Sequence, residues 1–145
     1  MKGVTVLLVT ICLVVASFAF AGEQYLCTAD SATGFAFNKS SNSWEQRTFK
    51  ASAKYIISKP EDGTTAFVVR EIGNSSPVAK CDNDFNKYGY LFCSGLGTDF
   101  RFNKDNGRYL SAYLLGYYNV LQGDIQKTDA TSDTPYVEIG KCSPF

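Results

Sequence analysis

Three observations predict an all-β domain, an antiparallel β-sandwich or small β-barrel built from two similar halves and stapled by disulfides. First, Cys27 followed by Gly34-Phe35-Ala36-Phe37-Asn38-Lys39 returns as Cys93 followed by Asp99-Phe100-Arg101-Phe102-Asn103-Lys104. The echo continues with Glu71-Ile72-Gly73 before Cys81 and Glu138-Ile139-Gly140 before Cys142, which divides the chain into repeats 23–83 and 84–145. Second, short aromatic and β-branched runs alternate with Gly, Pro, Asn and Ser turn signals, and no sustained helical period interrupts them. Third, four cysteines lie beyond the N-terminal leader, and an even set in an exported chain reads as two disulfides.

The leader begins with Lys2, runs uncharged and apolar over 4–20, and ends in Ala19-Phe20-Ala21, the small-x-small pattern that signal peptidase accepts. The apolar run is shorter than the roughly 20 residues that span a bilayer comfortably. Residues 1–21 therefore read as a signal peptide that takes Cys12 with it, and 22–145 as a single secreted or periplasmic β-domain.

In the first repeat, Tyr25-Leu26-Cys27 is a strand, 28–34 a small-residue turn, and Phe35-Ala36-Phe37 a second strand with both rings on one face at period two. The Ser- and Asn-rich stretch 38–43 turns the chain, because these side chains bond their own backbone, and 44–49 returns as a strand. The runs 54–58 and 64–72 form a hairpin around Lys59-Pro60-Glu61-Asp62-Gly63. In the second repeat, Tyr90-Leu91-Phe92-Cys93 and Phe100-Arg101-Phe102 flank a glycine turn over 94–98, and Asn106-Gly107 turns the chain back into 108–118. That stretch has apolar residues at helical spacing too, but its tyrosines and its position in the repeat favour a strand. The polar segment 119–134 is a loop without a counterpart in the first repeat, and Tyr136-Val137-Glu138-Ile139 is an alternating final strand pinned by Cys142. The core is predicted to hold Phe67, Val69, Leu91, Phe100 and Phe102, together with Phe35, Phe37, Ile56, Leu110, Val137 and Ile139.

Four cysteines allow three connectivities. Cys81 with Cys93 and Cys27 with Cys142 is preferred, since the first closes a local loop and the second ties the first strand to the last, as a closed sheet requires. Pairing within repeats, Cys27 with Cys81 and Cys93 with Cys142, is the alternative.

The chain has no histidine, which excludes imidazole-based catalysis and histidine metal sites. Its 14 basic and 14 acidic residues balance, which gives no electrostatic case for nucleic acid or for an anionic membrane after leader removal. Asp82-Asn83-Asp84-Phe85-Asn86 opens like a calcium loop, but Lys87 and Cys93 stand where the loop glycine and the closing glutamate belong, so it reads as a turn. No catalytic residue, metal site or cofactor is expected, and a carboxylate-dependent glycan hydrolase is the enzymatic alternative. The candidate binding residues are Trp44, Tyr117 and Tyr118, aromatic side chains suited to a protein or glycan of the cell envelope.

Phe100-x-Phe102-Asn103-Lys104, Gly116-Tyr117 and the ending Thr134-Pro135-Tyr136-Val137-Glu138-Ile139-Gly140-Lys141-Cys142 resemble a family of small exported bacterial proteins of uncharacterised function. Tyr25-Leu26-Cys27 and Cys142 also resemble, more faintly, the outline of the periplasmic inhibitors of c-type lysozyme. Those are small β-barrels whose first strand carries Tyr-x-Cys and whose last strand ends at a partner cysteine. The likeness implies a lysozyme-type inhibitor, the alternative to the expectation from the residues themselves, a non-enzymatic protein that binds another macromolecule through its loop tips.

Overall fold

In the computed structural model, which describes residues 23–117, 121–122, 125–126 and 128–145, one long strand organises the molecule. Strand β1 (Tyr25–Asn38) pairs with β11 (Tyr136–Pro144) along one edge. Along its other edge it pairs first with β3 (Lys54–Ser58) and then with β2 (Ser43–Phe49). From β3 the chain meanders through β4 (Phe67–Glu71), β5 (Ala79–Cys81), β6 (Tyr90–Ser94), β7 (Thr98–Asn103) and β8 (Arg108–Tyr113), each antiparallel to the last. Strand β8 then pairs with β11, which closes the sheet on β1. The result is a closed eight-stranded antiparallel barrel, with β2 and the outer half of β1 forming a hairpin that continues beyond it. Within the segment after β8, β9 (Leu121–Gln122) and β10 (Ile125–Gln126) form a two-residue ladder and Asp129–Thr131 a 3₁₀ turn.

Period-two alternation places Cys27, Ile57, Phe67, Leu91 and Phe100 inside, each no more than 4% exposed. The interior is aromatic and filled. The Phe100 ring stacks on Tyr109 with centroids 5.0 Å apart, and Tyr55 meets both edge-on at 5.5 and 5.8 Å. Such pairs add about 0.5–1.5 kcal/mol beyond the area they bury. At the end where β1 begins, Phe85 from the β5–β6 loop plugs the barrel against Tyr25, Phe67 and Phe102, and the Lys104 ammonium lies 4.5 Å from its ring centroid.

Both preferred disulfides are present. Cys27–Cys142 joins residues directly opposite each other on β1 and β11 and so fastens the closing seam. Cys81–Cys93 ties β5 to β6, which share a single register pair, Lys80 with Ser94.

Two expectations are corrected. The predicted turn over 28–34 does not exist, because β1 runs straight through it with a bulge at Asp30, between Ala29 and Ser31. One extra residue in a strand reverses which side chains face inward. Ala32 is therefore buried beyond the bulge while Phe35 is 55% exposed. The predicted core is also wrong in phase on three other strands. Cys142 must face inward to reach Cys27, so Gly140 and Glu138 face inward too, and Val137 and Ile139 face outward. Register carries the parity around the barrel: Tyr109 opposite Gly140 and Tyr55 opposite Cys27 are inside, which leaves Leu110 outside and Ile56 only partly covered. Phe37, in phase with Phe35, lies partly covered on the hairpin rather than in the core.

Gly140 makes this inward face possible. A Cβ there would come within 2.2 Å of the Thr28 carbonyl oxygen and 2.4 Å of the Tyr109 ring. The space a side chain would take is occupied by the tyrosine. The turn at 104–107 spans four residues, of which only Gly107, with φ of 67°, adopts the left-handed conformation.

Candidate binding face

The aliphatic residues displaced from the core gather on the outer wall. Register places Phe92 on β6 opposite Arg101 on β7, Arg101 opposite Leu110 on β8, and Leu110 opposite Ile139 on β11. Because all four face outward, they form one continuous row. Phe92 and Ile139 are each 50% exposed and Leu110 is 40% exposed. The Arg101 guanidinium lies over the Phe92 ring, 5.3 Å from its centroid, and Phe92 stacks on Tyr90. Towards the hairpin the row widens into a shallow apolar groove, where Phe35, Leu114, Pro135 and Val137 line one surface.

That groove leads directly to the aromatic residues singled out in the sequence. Phe37 follows Phe35 on the same face of β1 and is paired in register with Trp44 on β2. The Trp44 ring meets Phe37 edge-on at 5.8 Å and Tyr117 at 5.6 Å. Trp44 and Tyr117, 73 residues apart in the chain, thus form one cluster, in which Tyr117 is 65% exposed. The Trp44 Nε1 atom is buried without a hydrogen-bond partner among the described residues, so its ring is what the cluster offers. Tyr118 lies outside the described residues.

Local hydrogen bonds hold the hairpin in shape. The Glu45 carboxylate accepts from Asn38 Nδ2 at 2.8 Å, from Ser41 Oγ at 2.8 Å and from the Arg47 guanidinium at 3.1 Å. The Ser41 and Asn38 bonds hold its pKa below the usual glutamate value. Asn38 Oδ1 in turn accepts the Ser40 backbone N–H and starts the turn.

Inside the same wall sits a polar network that the sequence did not reveal. Glu138 is 4% exposed and accepts a hydrogen bond from the Tyr109 hydroxyl at 2.9 Å. Burial first, and then the adjacent Glu138 carboxylate, push the Tyr55 and Tyr109 hydroxyls above the ordinary tyrosine range. Tyr136 is raised as well, by burial and then by the charges of Glu138 and Glu71. Glu138 looked like a solvent-facing residue between Val137 and Ile139. The parity imposed by Cys142, four residues on, was the signal that places it inside.

In the segment with a calcium-loop opening, Asp84 and Asn86 turn their oxygens to backbone N–H groups of their own loop. Among the described residues no group of three carboxylate or cysteine side chains is placed to hold a metal ion, and no helix is long and apolar enough to cross a membrane. No protein-family model, curated protein or solved structure matches this chain.

Proposed function

We propose that this is a secreted or periplasmic, non-enzymatic protein that binds another macromolecule of the cell envelope through its outer apolar wall and the Trp44–Tyr117 cluster. The observation that carries the reading is the outward placement of Phe35, Leu110, Val137 and Ile139 on a barrel whose interior is already filled. Exposed apolar area of this extent, joined to aromatic and arginine side chains, is the composition of a recognition surface. A filled barrel leaves that recognition to the outside. Two disulfides support export, since such bridges persist in oxidising compartments.

Within this reading, c-type lysozymes are the first partners to test, because the Cys27–Cys142 bridge joins first strand to last in the manner of their small barrel inhibitors. The experiment is capture of purified lysozymes and of envelope extract on oxidised protein, followed by affinity measurement with each purified partner. Leu110→Ser with Ile139→Ser, or Trp44→Ala with Tyr117→Ala, should weaken binding about thirtyfold, which is the hot-spot scale of about 2 kcal/mol. Lys80→Ala on β5 serves as the control and should leave it unchanged. A partner that binds all four proteins equally overturns the reading. Glycan cleavage that Glu138→Gln abolishes, with binding intact, replaces it with the hydrolase.

A further inference from the structure

One end of the outer wall carries chemistry different from the rest. Beside the Phe92–Arg101–Leu110–Ile139 row, the next outward positions are Asn103 on β7, Arg108 on β8 and Lys141 on β11, again opposite one another in register. Together with Arg101, Leu110 and Ile139 they line an open groove. Arg108 and Lys141 are therefore like charges on directly facing positions, an arrangement that destabilises a sheet. Compensation is thin. Lys141 has Asp30 at 4.0 Å, Arg101 has Asp99 at 3.4 Å, and Arg108 has no ion-pair partner among the described residues.

The two asparagines of the groove sharpen the pattern. Asn103 Oδ1 accepts the backbone N–H of Asp105 at 2.8 Å, and Asn106 Oδ1 accepts that of Arg108 at 2.9 Å. With both lone pairs of Asn103 Oδ1 and one of Asn106 Oδ1 taken up by backbone N–H groups of the turn, the NH₂ groups are the larger part of what the two amides have left for a ligand. The groove thus combines three cations, two amides, the aliphatic side chains of Leu110 and Ile139 and the half-exposed Tyr90 ring, with Asp30 as its one carboxylate.

We infer that this groove receives a carboxylate-bearing, partly apolar segment of a protein partner. The inference rests on the binding reading above and gives the partner its chemistry. Carboxylates fit Arg108 and Lys141 and relieve their mutual repulsion, while interleaved apolar side chains cover Leu110 and Ile139. Leu110 and Ile139 favour a peptide, whose apolar side chains can cover both, over a glycan, which would use the half-exposed Tyr90 ring and leave the two aliphatic residues bare.

The test titrates the capped peptide Glu-Leu-Glu-Leu-Glu-Leu into isotope-labelled, oxidised protein, alongside its Gln-Leu counterpart, tri-galacturonate and inorganic phosphate. The acidic peptide should shift the backbone resonances of Leu110, Ile139 and Lys141, with an affinity that falls as salt is raised. Arg108→Gln should weaken it roughly fivefold, the scale of one surface charge contact. The same substitution should raise the melting temperature of the free protein, a gain that a merely structural arginine would not produce. Equal shifts with the Gln-Leu peptide, tighter binding of tri-galacturonate or phosphate at these residues, or no shift with any probe each overturns the inference. If Arg108→Gln abolishes the peptide shifts while partner capture ignores Leu110 and Ile139, the wall reading fails and the groove stands. The reverse pattern removes the acidic chemistry and keeps the wall.

Discussion

Strands β7 and β11 flank β8 on opposite sides, yet they alternate in opposite senses. On β7 the rings of Phe100 and Phe102 fill the barrel, and Asp99 and Arg101 face outward. On β11 a carboxylate and a glycine face inward, and Val137 and Ile139 face outward. The first pattern is what burial alone would select. The second departs from it and needs two internal devices, the Tyr109 hydroxyl that satisfies Glu138 and the absent side chain at Gly140 that admits the Tyr109 ring. The contrast separates two uses of apolar side chains: β7 holds the barrel together by its inner face, and β11 leaves its aliphatic side chains on the outside.

Substitutions that act on one side of this contrast should behave differently from those that act on the other. The largest expected effect is at Phe100, which is fully buried. Phe100→Ala should lower stability by about 3–5 kcal/mol in urea unfolding. Removing the seam bridge with Cys27→Ser and Cys142→Ser should cost about 2–5 kcal/mol, read as a fall in melting temperature. A smaller loss follows from Tyr109→Phe, which leaves Glu138 without that donor and should cost about 1–3 kcal/mol.

The inner network should also make stability depend on alkaline pH. The folded-state pKa values of Tyr55 and Tyr109 lie above the ordinary tyrosine value of 10.0. Below that value both states are protonated and the stabilisation is complete. As pH rises past it, the unfolded chain releases protons that the folded chain retains, so stability declines by up to about 1.4 kcal/mol per pH unit for each tyrosine. Urea midpoints measured from pH 8 to 11.5 should show the decline, and Tyr55→Phe should make it shallower. The smallest effect on stability belongs to the outer wall. Ile139→Thr should change it by no more than about 0.5 kcal/mol, and a loss of several kcal/mol would show that the outer side chain works for the fold instead.

The two copies of the Cys…Phe-x-Phe-Asn-Lys motif show what was legible in the sequence and what was not. The second copy folds as its turn residues direct: β6, a glycine turn, β7, with Phe100 and Phe102 inside. The first copy carries the same letters but runs through as one strand of 14 residues, and its bulge sends Phe35 outward. Small residues over 28–34 permit a turn without requiring one. The extended course is selected by β11, which pairs with β1 from Tyr25 to Gly34, a partner more than 100 residues away in the chain.

The binding candidates divide in the same way. Trp44 and Tyr117 were identifiable from residue type, and their meeting was not, since it depends on where the hairpin and the non-strand segment after β8, which ends at Tyr113, come to lie. The outer wall was misassigned because its aliphatic residues carry the same alternation as a core strand, and alternation has two phases.

The all-β class, the turns at 59–63 and 94–98, the number of disulfides and the aromatic candidates could be read from the residues alone, because turn propensity is local and cysteine parity needs only a count, whereas the disulfide pairing stayed open until the strands were placed. Long-range strand pairing is what closes the sheet as a barrel, keeps β1 unbroken and turns the aliphatic side of β11 outward. Strand register is set by backbone pairing between distant segments. Once the Cys27–Cys142 seam fixes that register, period-two geometry assigns every side chain on β11 to one side of the wall.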